Sequence, residues 1–266
     1  MTLPFFHPSD DPGPSFSDLL KRVHGEAPRL PERDKPSFEV THGTTIAALR
    51  YADGVVMAGD RRATAGVSIA HRAMEKVHPA DRFSGVAIAG AAGFALDKVR
   101  LFQLQLEHYE KVEGSPLSLE GKANQLGMMV RQNLPMAMQG LVVVPLFAGF
   151  DTRRRMGRIF TYDATGGRYE ETDFHADGSG GRDARTTLKL GFRESLDRDS
   201  AIELAVQALW EAADEDAATG GPDAIRGIYP TVATITAEGY TEVPEAEVSE
   251  RFAALIQRKT AAGEPR

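Results

Sequence analysis

The sequence changes character at the Gly43-Thr44 step. Residues 1–43 hold seven of the chain's fifteen prolines, many charges and little apolar periodicity. Such a stretch cannot bury enough surface to form a core by itself. Its one apolar, helix-compatible patch, Phe16-Ser-Asp-Leu-Leu-Lys-Arg-Val23, could dock on a folded domain or on a neighbour. The run Thr41-His-Gly-Thr-Thr-Ile-Ala-Ala-Leu49 then opens a strand. Two threonines at a strand start are ordinary β-formers. Cutting between Gly43 and Thr44 would instead leave a threonine with a hydroxyl nucleophile and a free α-amine as its base. The local pattern leaves both readings open.

Past Thr44 the periodicity alternates between strand and helix. Thr44–Tyr51 and Val55–Ala58 read as strands around the turn Ala52-Asp-Gly54, and Val67–Ala70 with Glu75–His78 as a further hairpin. Gly85–Ala89 reads as a short buried strand. Phe94, Val99, Leu101, Phe102, Leu104 and Leu106 mark one long helix, and Leu117, Leu119, Leu126, Met129, Val130 and Leu134 a second. Pro116 separates the two, and Pro135 kinks or ends the latter. Leu141–Gly149, Gly157–Asp163 and Arg168–Asp173 return to strand. Ala184–Leu190 and Ser200–Ala213 read as helices, Ile228–Thr236 as a strand and Val248–Lys259 as a terminal helix. This order predicts an α+β fold, two antiparallel sheets face to face and covered by helix layers.

Several function classes drop out. The net charge of -7 disfavours a general nucleic-acid binder. No apolar run approaches the roughly 18 residues of a membrane span, and the N-terminus lacks the apolar core of an export signal. There is no cysteine, which removes disulfides, thiolate nucleophiles and Cys-based zinc sites. It also fits a reducing cytoplasm. G-x-S-x-G, H-E-x-x-H, Walker A and dinucleotide fingerprints are absent, and Gly178-Ser-Gly-Gly181 has the spacing of neither nucleotide motif. The seven histidines are scattered and predict no metal site.

Gly43-Thr-Thr-Ile-Ala-Ala-Leu49, followed by Asp53-Gly-Val-Val-Met-Ala-Gly-Asp-Arg-Arg-Ala-Thr64, resembles the start of a proteasome β-subunit. Leu106-Glu-His-Tyr-Glu-Lys111 and Ala218-Thr-Gly-Gly-Pro-Asp223 are similar to the actinobacterial type in particular. The likeness runs from about His42 to about Val243. It implies the four-layer αββα sandwich of N-terminal-nucleophile hydrolases over residues 44–266, with residues 1–43 a propeptide removed on maturation. It further implies a cytoplasmic threonine endopeptidase that cleaves itself at Gly43-Thr44 and requires no metal or organic cofactor. The implied partners are a homo-heptameric β-ring, proteasome α-subunit rings in an α7β7β7α7 barrel, a ring ATPase acting through the α-ring, and unfolded or tagged protein substrates, with no nucleic acid or membrane. Rival readings are a two-ring, unfoldase-coupled threonine peptidase, an inactive structural ring subunit and a different N-terminal-nucleophile amidohydrolase.

Residue by residue, the resemblance makes Thr44 the nucleophile, whose α-amine has an unperturbed pKa of roughly 7.7–8.0, suited to a general base. Asp60 and Lys76 correspond to an ion pair beside the threonine. The Gly90 N–H corresponds to the oxyanion hole. Ser179 matches the serine near the threonine amine, and Asp216 and Thr219 the acidic and hydroxyl groups completing its hydrogen bonds. Ala217 and Ala218 follow Asp216 where the family more often has serine, so Thr219 is a departure. Ala63, Met74, Ile88, Ala92 and Leu96 match the first specificity pocket and, all apolar, predict preference for hydrophobic or aromatic residues before the scissile bond. Thr64 and Ala92 match backbone positions that pair with an extended substrate.

Overall fold

A computed structural model of the chain describes residues 43–90 and 92–263. The expected leader, with its Phe16–Val23 patch, lies outside the described residues. Two five-stranded antiparallel sheets carry the domain. The first has the order β10-β1-β2-β11-β12, formed by β1 (Thr45–Tyr51), β2 (Gly54–Gly59), β10 (Phe174–Gly178), β11 (Thr231–Thr236) and β12 (Gly239–Glu242). The second has the order β5-β6-β7-β8-β9, formed by β5 (Val77–Asp81), β6 (Ser84–Gly90), β7 (Val143–Asp151), β8 (Met156–Tyr162) and β9 (Arg168–Glu171).

Strand parity explains the layering, because successive side chains leave a strand on opposite faces. From β1, Ile46 and Ala48 enter the core between the sheets with Val55, Met57, Leu146 and Ile159. Ala47 and Leu49 point the other way, into a core shared with α4 (Gly181–Gly191), α5 (Arg198–Glu215) and α6 (Glu245–Ala262). On the far side, Val86, Ile88, Phe147 and Phe160 pack under α1 (Ala92–Glu113) and α2 (Leu119–Gln132). The result is the αββα sandwich. Strands covered on both faces lose the polar half of their alternation, which is why β1 and β2 are nearly continuously apolar.

Helix starts are capped locally. The Ser118 hydroxyl accepts from the Gly121 N–H at 3.1 Å ahead of α2, and the Asp197 carboxylate accepts from the Ser200 N–H at 2.8 Å ahead of α5. Pro135 falls in the short α3 (Leu134–Ala137) just after α2 stops. No helix among the described residues is long and apolar enough to cross a membrane.

Three sequence expectations change. Val67–Ala70 and Glu75–His78 do not pair with each other: β4 (Ser68–His71) pairs with β3 (Ala63–Ala65), while β5 pairs with β6. The mostly exposed β4 has no apolar face to enter a main sheet, so it forms a separate two-stranded ribbon. β10 and β12 are strands that the sequence pattern does not announce. The expected strand from Ile228 begins at Thr231, because Ile228 closes a loop by bridging to Asp223.

Candidate active site

Thr44 stands immediately before β1, and its position is fixed from the backbone. β1 lies between β2 and β10 with Thr45 opposite Gly178. The Thr44 carbonyl extends that ladder by accepting from the Ser179 N–H at 2.8 Å. Parity puts the Thr44 side chain on the inter-sheet side, the face of Ile46 and Ala48. The residue is 5% exposed. Its hydroxyl donates to the Gly43 carbonyl oxygen at 2.6 Å, and its N–H points to Ser179 Oγ at 3.4 Å. Gly43 has φ +118°, and a Cβ there would stand 2.5 Å from Thr64 Oγ1 and 3.1 Å from the Ala218 carbonyl oxygen. Only glycine fits this approach without movement.

Asp60 follows β2 and is wholly buried. Its Oδ1 accepts from the Thr45 N–H at 2.7 Å and from Lys76 Nζ at 2.6 Å, and its Oδ2 from the Arg62 N–H at 2.9 Å and the Gly220 N–H at 2.7 Å. Lys76, just ahead of β5, also donates to the Arg62 carbonyl at 2.5 Å and the Gly43 carbonyl at 3.1 Å. All three ammonium protons are thereby used. Burial holds the Lys76 pKa below the usual lysine value, and the Asp60 carboxylate opposes that shift. The Gly43 carbonyl oxygen thus receives both the Thr44 hydroxyl and a cationic donor, a combination that polarises the Gly43-Thr44 peptide.

A second network lies on the opposite face of β1. The Gly180 N–H donates to Thr45 Oγ1 at 3.0 Å, which lies 2.6 Å from Thr219 Oγ1, and Thr219 Oγ1 donates to Asp216 Oδ2 at 2.5 Å. An ionised carboxylate only accepts, so the order of donors is forced: Thr45 gives its proton to Thr219, and Thr219 to Asp216. The Ala218 N–H fills the other Asp216 oxygen at 3.1 Å. Burial raises the Asp216 pKa, but hydrogen bonds from Ser179 and Thr219 outweigh it and hold the carboxyl below its usual range. Ser179 joins the two networks, touching Asp216 and both the N–H and the carbonyl of Thr44.

Gly90 closes β6 with φ +114°, and a Cβ there would stand 2.1 Å from the Val142 carbonyl oxygen. It lines one cleft with Thr44, Lys76, Met74, Ile88 and Leu96. Among the described residues, no group of three or more His, Asp or Glu is placed to hold a metal ion.

The sequence model of the family described as "Proteasome subunit" matches residues 40–226. The chain belongs to the proteasome subunit family. Proteins named proteasome subunit beta resemble it closely. That of Acidimicrobium ferrooxidans is 63% identical over 97% of this chain and 94% of the relative. That of Streptomyces griseus subsp. griseus is 57% identical over 92% and 88%, and that of Jonesia denitrificans 52% identical over 90% and 80%. Membership makes the chain a component of a multi-subunit protease.

In this proteasome subunit, Thr44, Asp60 and Lys76 meet around one peptide bond, and Ser179, Asp216 and Thr219 meet behind it. Of the expected pocket residues, Met74, Ile88 and Leu96 line the cleft beside Thr44. Ala63 is buried on β3 opposite His71 and does not line it. Thr64 stands beside Gly43, and Ala92 opens α1. The cleft also takes in Glu75, His78 and Ala95, which sequence reasoning missed. Thr45 was missed too, although its N–H holds Asp60 and its hydroxyl holds Thr219. The signal was available: two adjacent threonines in a strand must face opposite sides, so the second needs its own partners.

Proposed function

We propose that this chain is the catalytic β-subunit of a bacterial proteasome and a threonine endopeptidase. The observation that carries this reading is the convergence of the Thr44 hydroxyl and the Lys76 ammonium on the Gly43 carbonyl oxygen, at 2.6 Å and 3.1 Å. In self-cleavage, Thr44 Oγ1 attacks the Gly43 carbonyl carbon while Lys76 steadies the developing oxyanion. The hydroxyl proton passes to the Thr44 nitrogen as the C–N bond breaks and an ester forms, and water hydrolyses that ester to a Gly43 carboxylate and the free hydroxyl. Residues 1–43 leave, and Thr44 gains an α-amine next to Ser179. That amine has a pKa suited to accepting the hydroxyl proton when Thr44 attacks a substrate peptide. The Asp60 carboxylate keeps Lys76 protonated and placed, and the Gly90 N–H serves the substrate oxyanion. The acyl-enzyme ester then yields to water, with no cofactor in any step.

The relatives' name and the family support assembly in a heptameric β-ring, capped by α-type rings and fed with unfolded proteins by a ring ATPase in the cytoplasm. The decisive experiment is intact mass and N-terminal sequencing after co-expression with the α-type partner. The expected product starts Thr-Thr-Ile-Ala-Ala-Leu, and Thr44→Ala yields only the full-length chain without peptidase activity. An active particle carrying Thr44→Ala would refute the reading.

A further inference from the structure

Three arginines converge on a small cavity close to Asp60. Arg61 and Arg62 link β2 to β3, and Arg72 directly follows β4. With Gly220, Gly221 and Asp223, from the loop after α5, they line a cavity of about 30 Å³. At ~10–15 Å³ for one water, this space admits a single small ion or one charged terminal group. Gly220 permits the close approach: a Cβ there would stand 2.7 Å from Arg62 Cβ and 3.2 Å from Asp60 Oδ2. The nearby carboxylates do not balance these arginines. Asp223 pairs with Arg226 at 2.6 Å, and Asp60 with Lys76 at 2.6 Å. Glu245 Oε2 stays 3.7 Å from Arg61 Nη1, beyond hydrogen-bond length. Arg61 donates from Nη2 to the Ala73 carbonyl at 3.3 Å, yet its Nε is buried with no hydrogen-bond partner. A buried N–H of this kind normally has an acceptor. Arg72, exposed at the rim, makes no ion pair among the described residues.

We infer that this cavity binds a small oxyanion, a phosphate or carboxylate group, through Arg61, Arg62 and Arg72. The planar fork of a guanidinium matches the paired oxygens of such a group, and the excess positive charge favours it. A cation would be repelled, and a neutral ligand would leave that charge unanswered. The bound anion would tie the β2–β3 link to the loop after α5. These two segments supply the Arg62 and Gly220 N–H groups that hold Asp60 Oδ2, at 2.9 Å and 2.7 Å. The anion would therefore brace the buried carboxylate from outside, without touching Thr44 or the cleft beside it. The site stands whichever residue is the nucleophile.

The test titrates inorganic phosphate calorimetrically into the full-length chain at constant ionic strength, with chloride as the control anion. One phosphate should bind per chain. Arg61→Gln and Arg72→Gln should each weaken binding about tenfold or more, the loss of a charge-assisted contact. Arg72→Lys, which keeps the charge without the fork, should retain part of the affinity. Arg72 is exposed, so its variants should fold as the wild type does, and circular dichroism checks this. Phosphate binding no tighter than that of chloride, or binding that both glutamine variants leave unchanged, overturns the inference. Repeating the titration on the assembled particle separates the two sources of the oxyanion. A site that still takes phosphate there serves a free ion, and one that assembly closes to phosphate serves a carboxylate of the neighbouring subunit.

Discussion

Replacing Asp60 by asparagine isolates what the buried carboxylate does. Asp60 accepts four hydrogen bonds with no solvent exposure, one of them from an ammonium that is itself 3% exposed. Asparagine has the same shape but only one acceptor oxygen, so its NH2 group must face two of the four donors. The Lys76 charge loses its counter-ion, and removing one partner of a buried pair costs about 3–5 kcal/mol. At ~2–4 °C per kcal/mol for a domain of this size, the melting temperature of the unprocessed subunit should fall by about 6–20 °C. Burial already lowers the Lys76 pKa, and loss of the Asp60 carboxylate lowers it further. A lysine pushed toward its neutral form holds the Gly43 carbonyl less strongly, by up to about 1–1.5 kcal/mol, or roughly tenfold in self-cleavage rate. Differential scanning fluorimetry reads the first effect, and intact mass against time after mixing with the α-type partner reads the second. An asparagine variant that melts and matures like the wild type would show that the charge of Asp60 is not what organises this site.

Other outcomes follow from the same geometry. Gly43→Ala places a methyl group 2.5 Å from Thr64 Oγ1 at φ +118°, so it should slow release of the leader at least tenfold while leaving the domain folded, as read by intact mass and circular dichroism. Thr219→Val removes the middle of the Thr45–Thr219–Asp216 chain, leaving the buried Thr45 hydroxyl without the acceptor for its proton and Asp216 Oδ2 without its Thr219 donor. It should cost about 1–3 kcal/mol in urea unfolding, with Thr219→Ser largely restoring stability. Glu247, paired with Arg198 at 2.7 Å and Arg251 at 2.8 Å, has its pKa lowered from 4.5 to about 2, chiefly by the Arg198 hydrogen bond. A lowered carboxyl pKa stabilises above the unfolded value and loses that contribution as pH falls through the folded one. Glu247→Gln should therefore melt below the wild type at pH 7, with the gap closing as the pH is lowered from 4.5 toward 2.

Much of this architecture is legible in the sequence because apolar period and turn chemistry agree, as along α1, α2 and α5. The losses have physical reasons. β10 reads Phe-His-Ala-Asp-Gly, short and half polar, because it is a sheet edge. It forms only because β1 lies beside it, yet it delivers Gly178 and Ser179 to the site. The pairing of β5 with β6 rather than β4 depends on which segment has apolar residues to bury, and adjacency in sequence does not say. In the site, the resemblance singles out residues by type and order, so Thr44, Asp60 and Lys76 are visible beforehand. Thr45 is hidden by its propensity, since a second threonine in a strand needs no explanation until its hydroxyl is found in a chain of donors. His78 is hidden because a lone histidine on a strand carries no pattern. It joins the site only through a cleft to which β5, β6 and α1 all contribute.

The contact between the Thr44 hydroxyl and the Gly43 carbonyl has a kinetic consequence. Attacker and target belong to adjacent residues of one chain, so their meeting involves no diffusion and no loss of translational entropy. Under the proposed self-cleavage, a formed site would then act as a first-order clock: dilution should leave its half-life unchanged, and one chain should not speed another. Any dependence of that cleavage on protein concentration would therefore measure a preceding association of subunits, so the same bond would timestamp assembly, chain by chain.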